Sequence, residues 1–87
     1  MRKCYIKGCT SNIQESHHIF YGHPNRKISE RLGYKTDLCI YHHKDYLVGI
    51  HGKNKQLDLE LKQKYQKIFE ETKTRQEFIS LFGRNYL

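Results

Sequence analysis

The stretch TDLCIYHHKDYLVGIHG, residues 36–52, holds one cysteine and three histidines in a chain that has three cysteines and six histidines in all. Two further clusters lie upstream. A second pair of adjacent histidines sits in ESHHIFYG, residues 15–22, and a cysteine pair sits in CYIKGC, residues 4–9. Together the three clusters ask for two metal sites of different chemistry, one structural and one reactive.

A structural zinc ion takes four tetrahedral Cys or His ligands, usually as two closely spaced pairs from separate parts of the chain. Cys4 and Cys9 make one pair, and Gly8 between them suits a knuckle in which a backbone turn brings two thiolates to one ion. Cys39 and His42 make the other, and every cysteine is thereby used. Three buried free thiols are the plain alternative. They give no reason for a histidine placed so close after the last cysteine.

That assignment leaves His17, His18 and His43. Adjacent residues on a strand point to opposite faces, so His17 and His18 have separate tasks. One can hold a metal while its neighbour takes a proton from a substrate atom, a task suited to a side chain that titrates near neutral pH. His51 follows His43 by two helical turns, and a continuous helix would carry it about 12 Å further along the axis. Gly49 and Gly52 instead let the chain fold back. His51 then completes the site, contacts a phosphate or stands in solvent as a loop residue.

At 87 residues the chain is expected to form a single domain with a small core, the kind that leans on a metal or a disulfide. An odd set of cysteines with no apolar signal segment before it fits a disulfide framework poorly. A reduced, intracellular compartment with the cysteines as metal ligands is expected, with no membrane span. Sixteen Lys and Arg against nine Asp and Glu give a formal charge of +7 and an isoelectric point near 9.4. Such an excess favours a polyanionic partner, with nucleic acid foremost.

The coarse organisation is α+β. Residues 1–16 read as a turn region, SHHIFYG as a strand or hairpin arm, and Gly22, Pro24 and Asn25 as a loop. KISERLGY is either a short helical turn from Ser29 to Gly33 or loop. A helix is expected from about Ile40 to Gly49. Leu57, Leu61, Tyr65, Ile68 and Phe69 recur at helical spacing, and Thr74 with Glu77 forms a capping box ahead of Phe78, Ile79, Leu81, Phe82 and a terminating Gly83. Two C-terminal helices, within residues 53–87, are expected to pack on a metal-bearing half at residues 1–52, with their aromatics in the core.

SHHI followed by LCIYHHKD resembles the HNH family of ββα-metal nucleases, in the subset framed by a zinc knuckle, and is most similar to short phage-type members related to recombination-enhancement nucleases. The resemblance runs from Cys4 to His51. It implies a ββα-metal core, with His18 as the general base that activates water and His17 and His43 as ligands of a catalytic divalent cation. His42 stands where many relatives carry a cysteine. The middle asparagine of the family name has no clear counterpart among Asp37, Tyr34 and Asn25, and Asp37 is given the role of orienting the loop or binding the cation. Some relatives carry a further metal-binding histidine one turn past the helical ligand, where this chain has Leu47.

The expected chemistry is hydrolysis of DNA phosphodiesters with weak sequence preference, in phage recombination or DNA processing, where a protein partner in recombination or replication also fits. Mg²⁺ or Mn²⁺ would serve the reactive site, and imidazole ligands equally suit Ni²⁺ or Zn²⁺. Arg26, Lys27, Lys35, Lys44, Lys53 and Lys55 lie in or beside the site-bearing segments and are candidates to hold the DNA backbone. The alternative is a zinc-stabilised nucleic-acid-binding module without catalysis, which leaves His17, His18 and His43 unexplained.

Overall fold

The computed structural model describes residues 3–11 and 14–87. Strands β1 (Gln14–His18) and β2 (Lys35–Cys39) form a two-stranded antiparallel sheet in which Gln14 faces Cys39 and His18 faces Lys35. Helix α1 (Asn25–Leu32) lies in the connection between them, and α2 (Ile40–Lys44) leaves β2 directly. Helices α3 (Lys55–Glu70) and α4 (Arg75–Phe82) follow. The expected α+β class is thus found, as a small sheet with four helices. Residues 1–2 and 12–13 of the expected turn region lie outside the described residues.

The undecided segment KISERLGY is helical, and its helix ends at Gly33, which adopts the left-handed conformation at φ 75°. It starts earlier than Ser29, however. Pro24 occupies the N-cap and Asn25 is already helical, because a proline at a helix entrance sacrifices no hydrogen bond. Ser29 instead lies inside the helix, fully buried, and its hydroxyl accepts the Phe20 N–H at 2.9 Å. That bond ties α1 to the segment leaving β1.

Helix α2 is shorter than expected, stopping at Lys44 and not at Gly49. Asp45 leaves helical geometry at ψ 140°, and its carboxylate accepts the N–H groups of Leu47 and Val48 at 2.9 and 3.1 Å. A local turn therefore outcompetes the helix. The chain then doubles back, with the Ile50 N–H donating to the His42 carbonyl at 2.7 Å and the His51 N–H to that of His43 at 3.1 Å.

Ile19, Phe20, Leu38, Ile50, Leu57, Leu61, Phe69, Phe78 and Phe82 form the buried core. The C-terminal helices pack on the first half of the chain: Phe20 meets Phe82 and Phe78 with ring centroids 4.2 and 5.4 Å apart, and the Tyr65 hydroxyl donates to the Lys35 carbonyl at 3.3 Å. Thr74 caps α4 by accepting the Glu77 N–H at 3.1 Å, and Gly83 ends it at φ 91°. Ile68 departs from the expected apolar face and is 41% exposed. Among the described residues no helix is long and apolar enough to cross a membrane.

Candidate functional site

Two clusters of metal-ligating side chains form, each with its ligand atoms within 4.8 Å of one another. The first unites Cys4, Cys9, Cys39 and His42. Gly8 at φ 84° turns the chain between the first two cysteines, and the Tyr5 N–H donates to the Asp37 carbonyl at 2.7 Å, fastening the knuckle to β2. The Cys9 and Cys39 sulfurs are 3.6 Å apart, and the His42 Nδ1 lies 3.0 Å from the Cys39 sulfur and 3.6 Å from that of Cys4. A tetrahedron with arms of about 2.3 Å has edges of roughly 3.7 Å, so the cage fits zinc. All three cysteines are free, and the sulfur separation is far beyond the roughly 2.05 Å of a disulfide. Burial alone would push the Cys39 thiol up. Hydrogen bonding by the His42 backbone N–H, Cys9 and the His42 ring outweighs it and lowers the thiol to about 7, towards the thiolate a metal needs.

The second cluster unites His17, His43 and His51. On β1 the alternation of faces turns His17 inward, where it is 1% exposed, and places Glu15 on the same side. The ring of His17 stands 5.2 Å from that of His43 and 5.1 Å from that of His51, centroid to centroid. Its Nε2 is buried with no hydrogen-bond partner among the described residues. A buried polar atom without a partner is costly, and a metal ion would satisfy it. Burial, followed by the charges of His43 and His51, lowers the His17 pKa to about 3, so the ring stays neutral and free to ligate at physiological pH. His51 is lowered too, first by burial and then by His43.

Glu15 supplies the support that a ligating histidine usually has. Its Oε1 lies 2.8 Å from the Nδ1 of His43, which leaves Nε2 for a metal, and its Oε2 accepts from Lys44 Nζ at 3.2 Å. Hydrogen bonds from His43 and then Lys44 lower the Glu15 carboxyl and keep it ionised. The rings of His51 and Tyr21 are 4.9 Å apart, and Lys62 lies over the Tyr21 ring at 4.4 Å while pairing with Asp58 at 3.0 Å. Burial, then Asp58, pushes the Tyr21 phenol up to about 12.

The three histidines open onto a cleft of about 160 Å³, lined also by Ser16, His18, Tyr21 and Arg26. His18 belongs to neither metal cluster: its Nε2 lies 2.9 Å from Glu30 Oε1. The rings of His17 and His18 thus go to different places, one to the histidine cluster and one to Glu30. Asp37 does not line this cleft and instead borders a shallow depression with Ser16, Lys35 and Thr36. Among the basic candidates, Arg26 reaches the cleft and Lys27 lines an adjoining depression. Lys35 pairs with Glu30 at 2.6 Å and Lys44 with Glu15, while Lys53 lies 5.1 Å from the Tyr46 ring centre and Lys55 donates to the Ile50 carbonyl at 3.4 Å. Sequence reasoning missed Glu15, Glu30 and Tyr21, since nothing in a carboxylate's local sequence tells which histidine it will meet across the sheet.

His51 reaches the cluster because the turn at 45–52 is tightly closed. A Cβ on Gly52 would collide with the carbonyls of Asp45 and Tyr46, so only glycine lets the loop return. Gly52→Ala is expected to cost about 1–3 kcal/mol, lowering Tm by roughly 5–20 °C. It should also weaken divalent-ion binding at the three-histidine cluster without removing the knuckle zinc. Thermal melts and metal titration check this; an unchanged Tm would show that the loop is looser than its geometry.

Comparison with family models, with curated proteins and with solved structures gave no match in any of the three, so the chemistry of both clusters is argued from their own geometry.

Proposed function

We propose that the chain is a metal-dependent endonuclease of the HNH type that hydrolyses DNA phosphodiesters, with a zinc ion held structurally by Cys4, Cys9, Cys39 and His42. The observation that carries the reading is the second cluster: three histidines converge beside a cleft, with the buried Nε2 of His17 lacking any other partner among the described residues. A module that only bound nucleic acid would have no use for it.

His17, His43 and His51 would hold a divalent cation, which would supply electrophilic stabilisation of the phosphoryl oxygens and of the departing 3′ oxygen. His18, on the rim of the same cleft, takes the proton from the attacking water. Arg26 steadies the phosphate through charge-assisted hydrogen bonds from its planar guanidinium. Glu15 holds His43 in the orientation that presents Nε2 to the ion. A formal charge of +7 draws the protein to the polyanion, and contacts of this kind position DNA without reading its sequence.

The test is cleavage of linear, nicked, single-stranded and branched DNA by the zinc-loaded protein with added Mg²⁺ or Mn²⁺. His43→Ala removes one ligand of three, so it should lose most activity at low metal and regain part of it at high metal. Absence of cleavage on every substrate and with each ion would refute the proposal.

A further inference from the structure

We propose that Glu30 is a positioning residue that fixes the ring and tautomer of His18, leaving Nδ1 as the nitrogen that acts in the cleft. The kinetic consequence rests on the nuclease reading above; the effect on the ring does not.

Three facts build the arrangement. His18 and Lys35 face each other across the sheet, at the end of β1 and the start of β2. Helix α1 carries Glu30 to both of them, its Oε1 at 2.9 Å from His18 Nε2 and its Oε2 at 2.6 Å from Lys35 Nζ. The helix itself is held to the sheet ends by the Ser29 hydroxyl, which accepts the Phe20 N–H, and by the Ser29 carbonyl, which accepts the Tyr34 N–H at 2.8 Å. Glu30 is therefore mounted on a fixed element even though its side chain is 56% exposed.

An ionised carboxylate can only accept hydrogen bonds, so the His18 nitrogen that meets it must carry the hydrogen. In the neutral ring the lone pair then resides on Nδ1. Lys35, and after it His18, lower the Glu30 carboxyl to about 2, so it remains an acceptor throughout the neutral range. Glu15 imposes the opposite tautomer on His43, where Nδ1 meets the carboxylate and Nε2 is left free. Two histidines of one cleft are thus set to different nitrogens by two carboxylates from different elements. As His18 takes the water proton on Nδ1, its Nε2–H stays bonded to Glu30, whose negative charge stabilises the imidazolium formed.

The tautomer can be read directly from ring nitrogen shifts of ¹⁵N-histidine-labelled, zinc-loaded protein at about pH 8, above the ordinary imidazole range. Wild type is expected to show His18 with Nε2 protonated and Nδ1 bare. Glu30→Ala should turn this into a mixture of tautomers, while Glu30→Gln, whose amide oxygen still accepts, should keep it. In cleavage assays Glu30→Ala should lower kcat about tenfold without raising KM for DNA, and Glu30→Gln should restore most of the rate. A wild-type His18 protonated on Nδ1, or a Glu30→Ala protein with the wild-type tautomer, would overturn the proposal. If no DNA is cleaved but the tautomer responds to Glu30→Ala as stated, the positioning holds and the nuclease reading fails by itself.

Discussion

Cys39→Ser is expected to abolish cooperative folding of the knuckle half, and with it most of the stability of the chain. Cys39 is 1% exposed and its sulfur lies against both Cys9 and His42, so serine removes the most enclosed of the ligands. The buried core draws on residues 19–20, 38, 50 and the C-terminal helices, and no fully buried apolar core residue among those described comes from residues 3–11 or 40–49. Cys4, Tyr5 and Ile6 are only partly buried against that core, so ligation of an ion by the four-residue cluster is expected to organise those segments. Structural zinc contributes on the order of 10 kcal/mol in small zinc-dependent folds, comparable to the whole stability of a small domain. Losing even about 3 kcal/mol of it lowers Tm by roughly 12–24 °C in a domain of this size. Circular-dichroism melts paired with metal analysis should show one tightly held zinc in wild type and its loss in the variant. An unaltered melting curve after complete zinc removal would contradict the structural role.

His18→Ala is expected to do the reverse, retaining fold, zinc and DNA binding while cleavage falls by about 10²- to 10⁴-fold, the usual effect of removing a general base. The ring belongs to neither metal cluster and is not among the buried core side chains, so truncation is expected to leave both clusters in place. Single-turnover cleavage alongside a binding isotherm separates the two effects. Wild-type cleavage by His18→Ala together with lost cleavage in His17→Ala would mean that the neighbours have exchanged roles.

The four knuckle ligands were legible in the sequence because zinc demands particular residue types in close pairs, and Cys4, Cys9, Cys39 and His42 indeed come together. Helices α3 and α4 were legible from their apolar spacing and from Thr74 and Gly83, signals that act locally. Strand β2 was not. Lys35–Cys39 is short and polar, includes an aspartate that strands disfavour, and becomes a strand by pairing with β1. The helix after Cys39 was read too long because Gly49 was taken as its terminating residue, whereas the Asp45 carboxylate closes a turn four residues earlier. Glycines at 49 and 52 hinted that His51 could return to His43. Only the closed turn shows the rings meeting, with centroids 4.8 Å apart.

The proposed division of labour between the two clusters is tested most directly by Mn²⁺ titration of supercoiled-plasmid cleavage, using protein that carries a single equivalent of zinc. Zinc-loaded protein without added ion should leave the plasmid intact, and Mn²⁺ should switch on cleavage along a saturable curve as the three-histidine site fills. Cleavage at the same rate with no added ion, or none at any Mn²⁺ concentration, would contradict that division.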